Sequence, residues 1–254
     1  MSALFYAFVI LIGLIIGSFL NCLIWRLYKD ENLTGRSYCP KCREMIAWYD
    51  NIPLLSFIIL GGRCRRCHQS IAWRYPLVEL TTAVLFLLTF QQTVADPNFT
   101  LLLTHDWLVV ATLLVIFVYD ATWQMVPMLL VWPMTAVILV FNLLLGVPIL
   151  TLLLFGLIGT AFFLIQYVLT RRRGVGEGDI WLGLMLGLTF PSGPLLLVLL
   201  VVSYGAGTLV SLILMAVGRK GWKAKIALGP FLAFGAIITL IWGEPLIRYF
   251  LGAF

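Results

Sequence analysis

Long apolar runs separated by short polar connections make up most of this chain, with one exception, a polar and cysteine-bearing stretch near its beginning. A helix needs roughly 17 to 25 mostly apolar residues to cross the hydrocarbon core of a bilayer. Such runs occur at 3–24, 76–90, 107–120, 128–145, 149–170, 180–190, 194–217 and 226–242, the third and sixth being short. The pattern predicts an all-α polytopic membrane protein of about eight transmembrane helices. Residues 26–75 carry no long helical period and are punctuated by Pro, Gly and Cys, which marks a small domain outside the lipid. The expected organisation is a first transmembrane helix (1–25), a loop domain (26–75) and a seven-helix membrane domain (76–254).

Composition agrees: 62% of residues are hydrophobic and only 11% charged, far from soluble usage. Charge then orients the spans, because Lys and Arg in short loops stay on the cytoplasmic side. Nine basic residues fall in 26–75, three at 171–173 and four at 219–225 (Arg219, Lys220, Lys223, Lys225), against Arg248 alone on the other side. Eight spans with both ends outside satisfy this distribution and an odd number does not, so the main loop is expected in the cytoplasm. The first run has no basic residues ahead of it and continues into Arg26, so it is expected to persist as a membrane helix rather than act as a cleaved signal. The net charge of +6 sits where topology requires it, with no aromatic and basic surface to match, which argues against nucleic-acid binding.

A fifty-residue loop cannot fold on a hydrophobic core of its own without a staple. Cys39-Pro-Lys-Cys42 and Cys64-Arg-Arg-Cys67 are two CxxC pairs 21 residues apart, close to the spacing of a four-thiolate zinc ribbon. Disulfides are the competing reading, and a reducing cytoplasm favours zinc over them. His68 follows the last thiol and could replace one, though a surface role is the more ordinary one, and Cys22 reads as a small core residue. No period of 20 to 50 residues repeats along the chain.

Acids at a membrane edge are expensive and usually functional. Four qualify: Glu79, Asp120, Glu177 and Asp179. Asp120 closes the third run and Asp179 opens the sixth, both at the cytoplasmic face on the charge-derived topology, so the two could meet if those spans pack together. Two adjacent carboxyls tend to share one proton, one acting as base toward water while the other donates to a carbonyl oxygen. The glycines Gly174, Gly176 and Gly178 would allow a tight turn and a close backbone approach. A plainer reading stays open, with Asp179 as the N-cap of its helix and Asp120 as a helix-end acid facing water. For Glu79, which follows Pro76, ordinary helix N-terminal chemistry is the favoured reading.

These pieces together resemble the type IV prepilin peptidases, membrane aspartic proteases of the GxGD type. The resemblance is carried in order by GSFLNCLIWRL (17–27), CPKC (39–42), WYDNIPLLS (48–56), GGRCRRC (61–67), RYPLVEL (74–80), DATWQMVP (120–127), GEGD (176–179) and LGPFLAFGA (228–236). It implies cleavage of type IV prepilins or pseudopilins at the cytoplasmic face of the bacterial inner membrane, after a short basic leader, with Asp120 and Asp179 as the catalytic pair. Gly176, Gly178, Glu177 and Glu79 would then lie near the substrate. Members with the double-CxxC domain also methylate the new N-terminal amine with S-adenosylmethionine. The Gly-Lys that this family carries before its second CxxC corresponds to Gly62 and Arg63, the implied cofactor-binding residues. Arg63 in place of Lys is one departure, and Trp181 where relatives commonly have Lys is another. A basic leader would be repelled by the loop, whose nine basic and four acidic residues give a balance of +5. The rival readings are a proton- or cation-coupled transporter, which would place acids near the midplane within an inverted repeat, and a secretion-system scaffold without catalysis.

Overall fold

A computed structural model describes residues 3–172, 174–218 and 227–252. These residues form nine α-helices: α1 (Ala3–Lys29), α2 (Leu55–Ile59), α3 (Arg74–Thr93), α4 (Phe99–Trp123), α5 (Met128–Leu144), α6 (Ile149–Leu169), α7 (Glu177–Thr189), α8 (Gly193–Ala216) and α9 (Gly229–Leu251). Every predicted span has its helix. Five of them, α1, α4, α6, α8 and α9, are long and apolar enough to cross a membrane, and α5 is a shorter apolar helix. The remaining two are α3, diluted by Arg74, Glu79 and its threonines and glutamines, and the 13-residue α7. The protein is a multi-pass membrane protein. Arg173 and the basic cluster at 219–225 lie outside the described residues, as does the first residue of the run at 226–242.

Prolines set several helix starts. Pro127 and Pro148 stand at the N-caps of α5 and α6, while Pro194 and Pro230 occupy the first turns of α8 and α9, where a missing N–H costs nothing.

The chain forms two compact units, Met1–Ala95 and Asp96–Phe254. In the first, α1 packs along α3. Gly13 and Gly17 of α1 lie directly on the backbone of Ala83 and Glu79, so that a Cβ at Gly17 would stand 2.6 Å from the Glu79 Cα. This small-xxx-small contact is how helices approach closely where lipid removes the hydrophobic drive to associate. Asn21, buried on the same face, donates through Nδ2 to the Tyr75 carbonyl at 3.0 Å and fixes the register.

In the second unit α6 packs on α7 and α8 on α9, while α4 packs on α9 and α5 on α7. The α6–α7 contact also runs over glycines: a Cβ on Gly159 or Gly183 would collide with the carbonyl of the other. The sequence reading joined the third and sixth spans directly. The structure instead gives α4 its main partner in α9 and α7 its main partner in α6, and α5 and α9 each touch both α4 and α7. The glycine face of α7 is committed to α6, so two intermediary helices bring α4 and α7 to one site.

A second departure concerns residues 91–106, read as a connection. Helix α4 begins at Phe99, and His105 and Asp106 are buried within it. Their cost is offset by mutual pairing, His105 Nδ1 to Asp106 Oδ1 at 2.9 Å, and by Asn142 of α5, whose Nδ2 lies 3.5 Å from His105 Nε2.

Replacing Gly183 by Val should force α6 and α7 apart. The expected result is a loss of roughly 1 to 3 kcal/mol in detergent unfolding, the range for overpacking, with a larger loss of activity than of stability, because α7 carries Asp179.

Candidate functional site

Asp120 lies one turn before the end of α4, which stops at Gln124 in the left-handed conformation (φ 56°) with its amide on the Asp120 carbonyl at 2.8 Å. The Asp120 side chain is only 4% exposed. What covers it is the first residue of α9. The Gly229 amide donates to the carboxylate, and a Cβ at Gly229 would stand 3.0 Å from the Asp120 Cγ. Glycine is the residue that lets a helix N-terminus, with its unpaired amides and positive end, come this close to the acid. Gly229 belonged to the LGPFLAFGA segment, but no site role was read for it; nothing local signals one, since its role depends on α9 folding back on α4.

Asp179 is 7% exposed. It is not the N-cap of α7, as the plainer reading had it. Gly176 is the N-cap, and Asp179, three residues on, accepts the Gly176 amide through Oδ2 at 2.9 Å. That is one half of a capping box, so one carboxylate oxygen holds the helix start and fixes where the other lies. Asp120 and Asp179 are near enough for the charge of one to act on the other. The structure therefore brings together the two acids that the sequence paired.

Of the neighbouring glycines, Gly178 has the clearest reason. A Cβ there would lie 2.7 Å from Val126 and 3.1 Å from Met128 Cε, so the start of α7 rests on the α4–α5 connection. Gly174, Gly176 and Gly178 all avoid positive φ, so close packing at Gly178, rather than a tight turn, accounts for the segment. Glu177 is exposed and accepts the Tyr167 hydroxyl at 2.5 Å. Trp181 stacks on Trp132 of α5, ring centroids 4.1 Å apart.

Glu79 belongs to the first unit. Its Oε2 accepts the backbone amide of Leu54 at 2.8 Å, and Leu54 has φ 59°, an uncommon conformation for a branched side chain. Neither first-turn electrostatics nor an open carboxylate describes this residue, whose oxygen clamps a strained loop onto α3.

The four cysteines converge. The Sγ atoms of Cys39, Cys42, Cys64 and Cys67 all lie within 4.8 Å of one another, and Cys39 and Cys67 are 3.9 Å apart. Tetrahedral zinc with Zn–S bonds of about 2.3 Å needs sulfurs roughly 3.8 Å apart. The set fits zinc, and four thiolates leave no open position, which is the arrangement of a structural ion. The two CxxC turns are built alike: His68 and Arg43 each take positive φ and donate to the carbonyl of the first cysteine at 2.9 Å. Bridges Tyr38–Met45 and Arg63–Ser70 close both turns at the same offset. This local repeat of 25 residues, which runs on into Ile46-Ala47-Trp48 and Ile71-Ala72-Trp73, escaped the reading of the sequence, which found no repeat of 20 to 50 residues. His68 is exposed and shapes the turn by its backbone. Amides of Cys67 and Arg66 hold the Cys64 thiol down to about 7, toward the thiolate a metal binds.

Gly62 has φ 68° and ends α2: its amide donates to the Phe57 carbonyl at 2.8 Å and its carbonyl accepts Ile71 N–H at 2.7 Å. Arg63, next to it, is exposed. A cavity of about 290 Å³ in the same unit is lined by Ser18, Cys22, Arg26, Gly35, Ser37 and Asn51, among others, and neither Gly62 nor Arg63 borders it.

Comparison with known proteins gives a consistent result. The bacterial peptidase A24 N-terminal domain matches residues 11–93 and the type IV leader peptidase family matches residues 107–212. A prepilin leader peptidase/N-methyltransferase of Myxococcus xanthus is 35% identical over 230 residues, covering 87% of this chain and 67% of that protein. Those of Aeromonas salmonicida and Pseudomonas aeruginosa are 33% and 32% identical, covering 98% and 95% of this chain and 94% and 92% of their own lengths. No solved structure matches the chain.

Two outcomes follow for the loop. Reduced, purified protein should contain about one zinc per chain, as four-thiolate ligation requires, and Cys64→Ser should lower that content, both read by metal analysis. Asp50 accepts Arg65 in a bidentate pair (2.6 to 3.1 Å), and that guanidinium holds its carboxyl below the usual range. A depressed folded pKa gives stability that is present above the unfolded value, about 3.9, and lost as pH falls through the folded one. Asp50→Asn should therefore be less stable than the wild type at pH 6, and the difference should shrink as pH falls below the unfolded value and through the lower folded one, as measured by unfolding across the acid range.

Proposed function

Because this chain belongs to the type IV leader peptidase family, we propose that it cleaves the leader from type IV prepilins or pseudopilins at the cytoplasmic face of the bacterial inner membrane, using Asp120 and Asp179. It is a bifunctional enzyme, and the second activity methylates the amine that cleavage exposes. The carrying observation is that two carboxyls from α4 and α7, remote in sequence, are buried within reach of each other's charge. Membership in a peptidase family, with the pair at helix ends, speaks against the transporter reading.

The chemistry follows from the pair. The ionised carboxylate removes a proton from water as its oxygen bonds to the scissile carbonyl carbon, and the protonated partner donates to the carbonyl oxygen. When the intermediate collapses, the C–N bond breaks, the leaving amine takes a proton from one carboxyl, and a hydroxyl of the diol returns its proton to the other as the C=O re-forms, which restores the dyad. Asp179, tied through Oδ2 to Gly176, keeps one oxygen in place, and the Gly229 amide does the same for Asp120. Helix ends at a membrane surface suit a substrate whose basic leader is in water and whose apolar helix stays in lipid.

S-adenosylmethionine supplies an electrophilic methyl group when bound. In this chain an exposed guanidinium at Arg63, beside the Gly62 turn, suits the donor's carboxylate. The accepting amine would have to be neutral, and it would give up one proton as the donor's methyl–sulfur bond is exchanged for the new N–C bond. Four-thiolate zinc, with no open position, holds the loop rather than entering either reaction.

Asp120→Asn and Asp179→Asn should each abolish cleavage of a synthetic prepilin while zinc content and helical circular dichroism stay normal. Normal cleavage by either would remove the dyad. Glu177→Gln and Glu79→Gln should reduce cleavage less. Arg63→Gln should give cleaved product lacking the methyl group by mass. Gly62 is a poorer probe, since any side chain there strains the turn that ends α2.

A further inference from the structure

The short helix α2, LSFII, buries none of its residues. Leu55, Ile58 and Ile59 are exposed, the last two by 73% and 67%. Three exposed apolar side chains on a loop that should be in water cost free energy unless something covers them.

The patch is larger than α2. Phe57 stacks on Trp73 with ring centroids 5.0 Å apart, and Trp73 is itself exposed. Trp73 stands immediately before α3 and in line with Leu77, Leu80 and Val84, an exposed apolar stripe at helical spacing along that helix. The stripe is the kind of face a membrane helix turns to lipid. The α2 surface and Trp73 therefore continue a lipid-facing stripe at its polar end. Arginines border both halves: Arg63 follows the Gly61–Gly62 turn that ends α2, and Arg74 follows Trp73. Tryptophan with flanking cations above aliphatic residues is the composition of a membrane–water interface.

We infer that α2 and Trp73 form an interfacial anchor that lies in the headgroup region of an anionic bilayer and fixes the four-cysteine loop to the membrane surface. Two features choose lipid as the occupant. The loop's balance of +5 attracts anionic headgroups and repels the basic leader of a prepilin. The patch is also continuous with the α3 stripe, which a soluble partner would have to leave in order to cover α2. Glu79 and Arg65 then acquire a common purpose, since one holds Leu54 at the start of α2 and the other holds Asp50 four residues earlier. The inference rests on the multi-pass character of the chain, and only the exclusion of a prepilin leader as occupant draws on the peptidase reading.

The test uses the full chain reconstituted in vesicles of phosphatidylcholine with phosphatidylglycerol. A genetically encoded fluorescent amino acid is placed at Ile58, or at exposed Lys41 as control, and acyl-brominated lipid is the quencher. Residues 5 to 10 Å into the acyl boundary are expected to lose about half their emission, and the Lys41 probe almost none. Quenching should weaken when phosphatidylglycerol is omitted. Three results would overturn the inference: no quenching at 58 beyond that at 41, loss of quenching on adding synthetic prepilin, which gives the surface to substrate, or loss on raising the protein-to-lipid ratio, which gives it to a second copy. Cleavage activity, measured on the same vesicles, reports separately on the peptidase site.

Discussion

A carboxyl placed against a hydrophobic helix is tolerable only where protein, not lipid, surrounds it, and the C-terminal unit is arranged around that constraint. Asp120 and Asp179 are both buried and both held by backbone: the start of α9 covers one, and the capping turn of α7 holds the other. Both use backbone amides as partners, which fixes the acids without adding a second charged side chain to the site. The absence of side chain at Gly229 and Gly178 follows from this, since each admits a neighbour where a methyl group would collide. Packing of α6 on α7 and of α9 on α4 then serves the site, because it sets the position of the two helix ends that carry it.

The loop of the N-terminal unit solves a different problem, the stability of a segment too small for a core. Its two cysteine turns have the same backbone, and one ion can close both. Further ties reach out from that centre. Arg26 of α1 gives its guanidinium to the carbonyls of Leu33, Gly35 and Arg36. Trp25 donates to the Tyr38 hydroxyl at 3.1 Å. Between them the turns are joined to the membrane helix from which the loop departs, and Glu79 joins it to the helix by which it returns. Acids that look alike in sequence thus differ in role: Asp50 and Glu79 are structural ties, while Asp120 and Asp179 have backbone partners and face each other's field.

The chain by itself determined whatever depends on local composition. Apolar length gave the helices, since crossing lipid requires satisfied backbone over about twenty residues. Cysteine spacing gave the four-thiol cluster, because a CxxC turn brings two sulfurs together without help from distant residues, and the acids at run ends stood out because charge is scarce there. Contacts between remote segments were decided only by the tertiary structure. No local pattern says that α4 and α7 meet through α5 and α9, that Gly229 covers Asp120, or that Glu79 reaches Leu54. Nor does polarity alone place His105 and Asp106 inside α4, where their pairing makes burial tolerable. Each of these is a steric or hydrogen-bonded fit between surfaces formed by separate helices, so it exists only once those helices have packed.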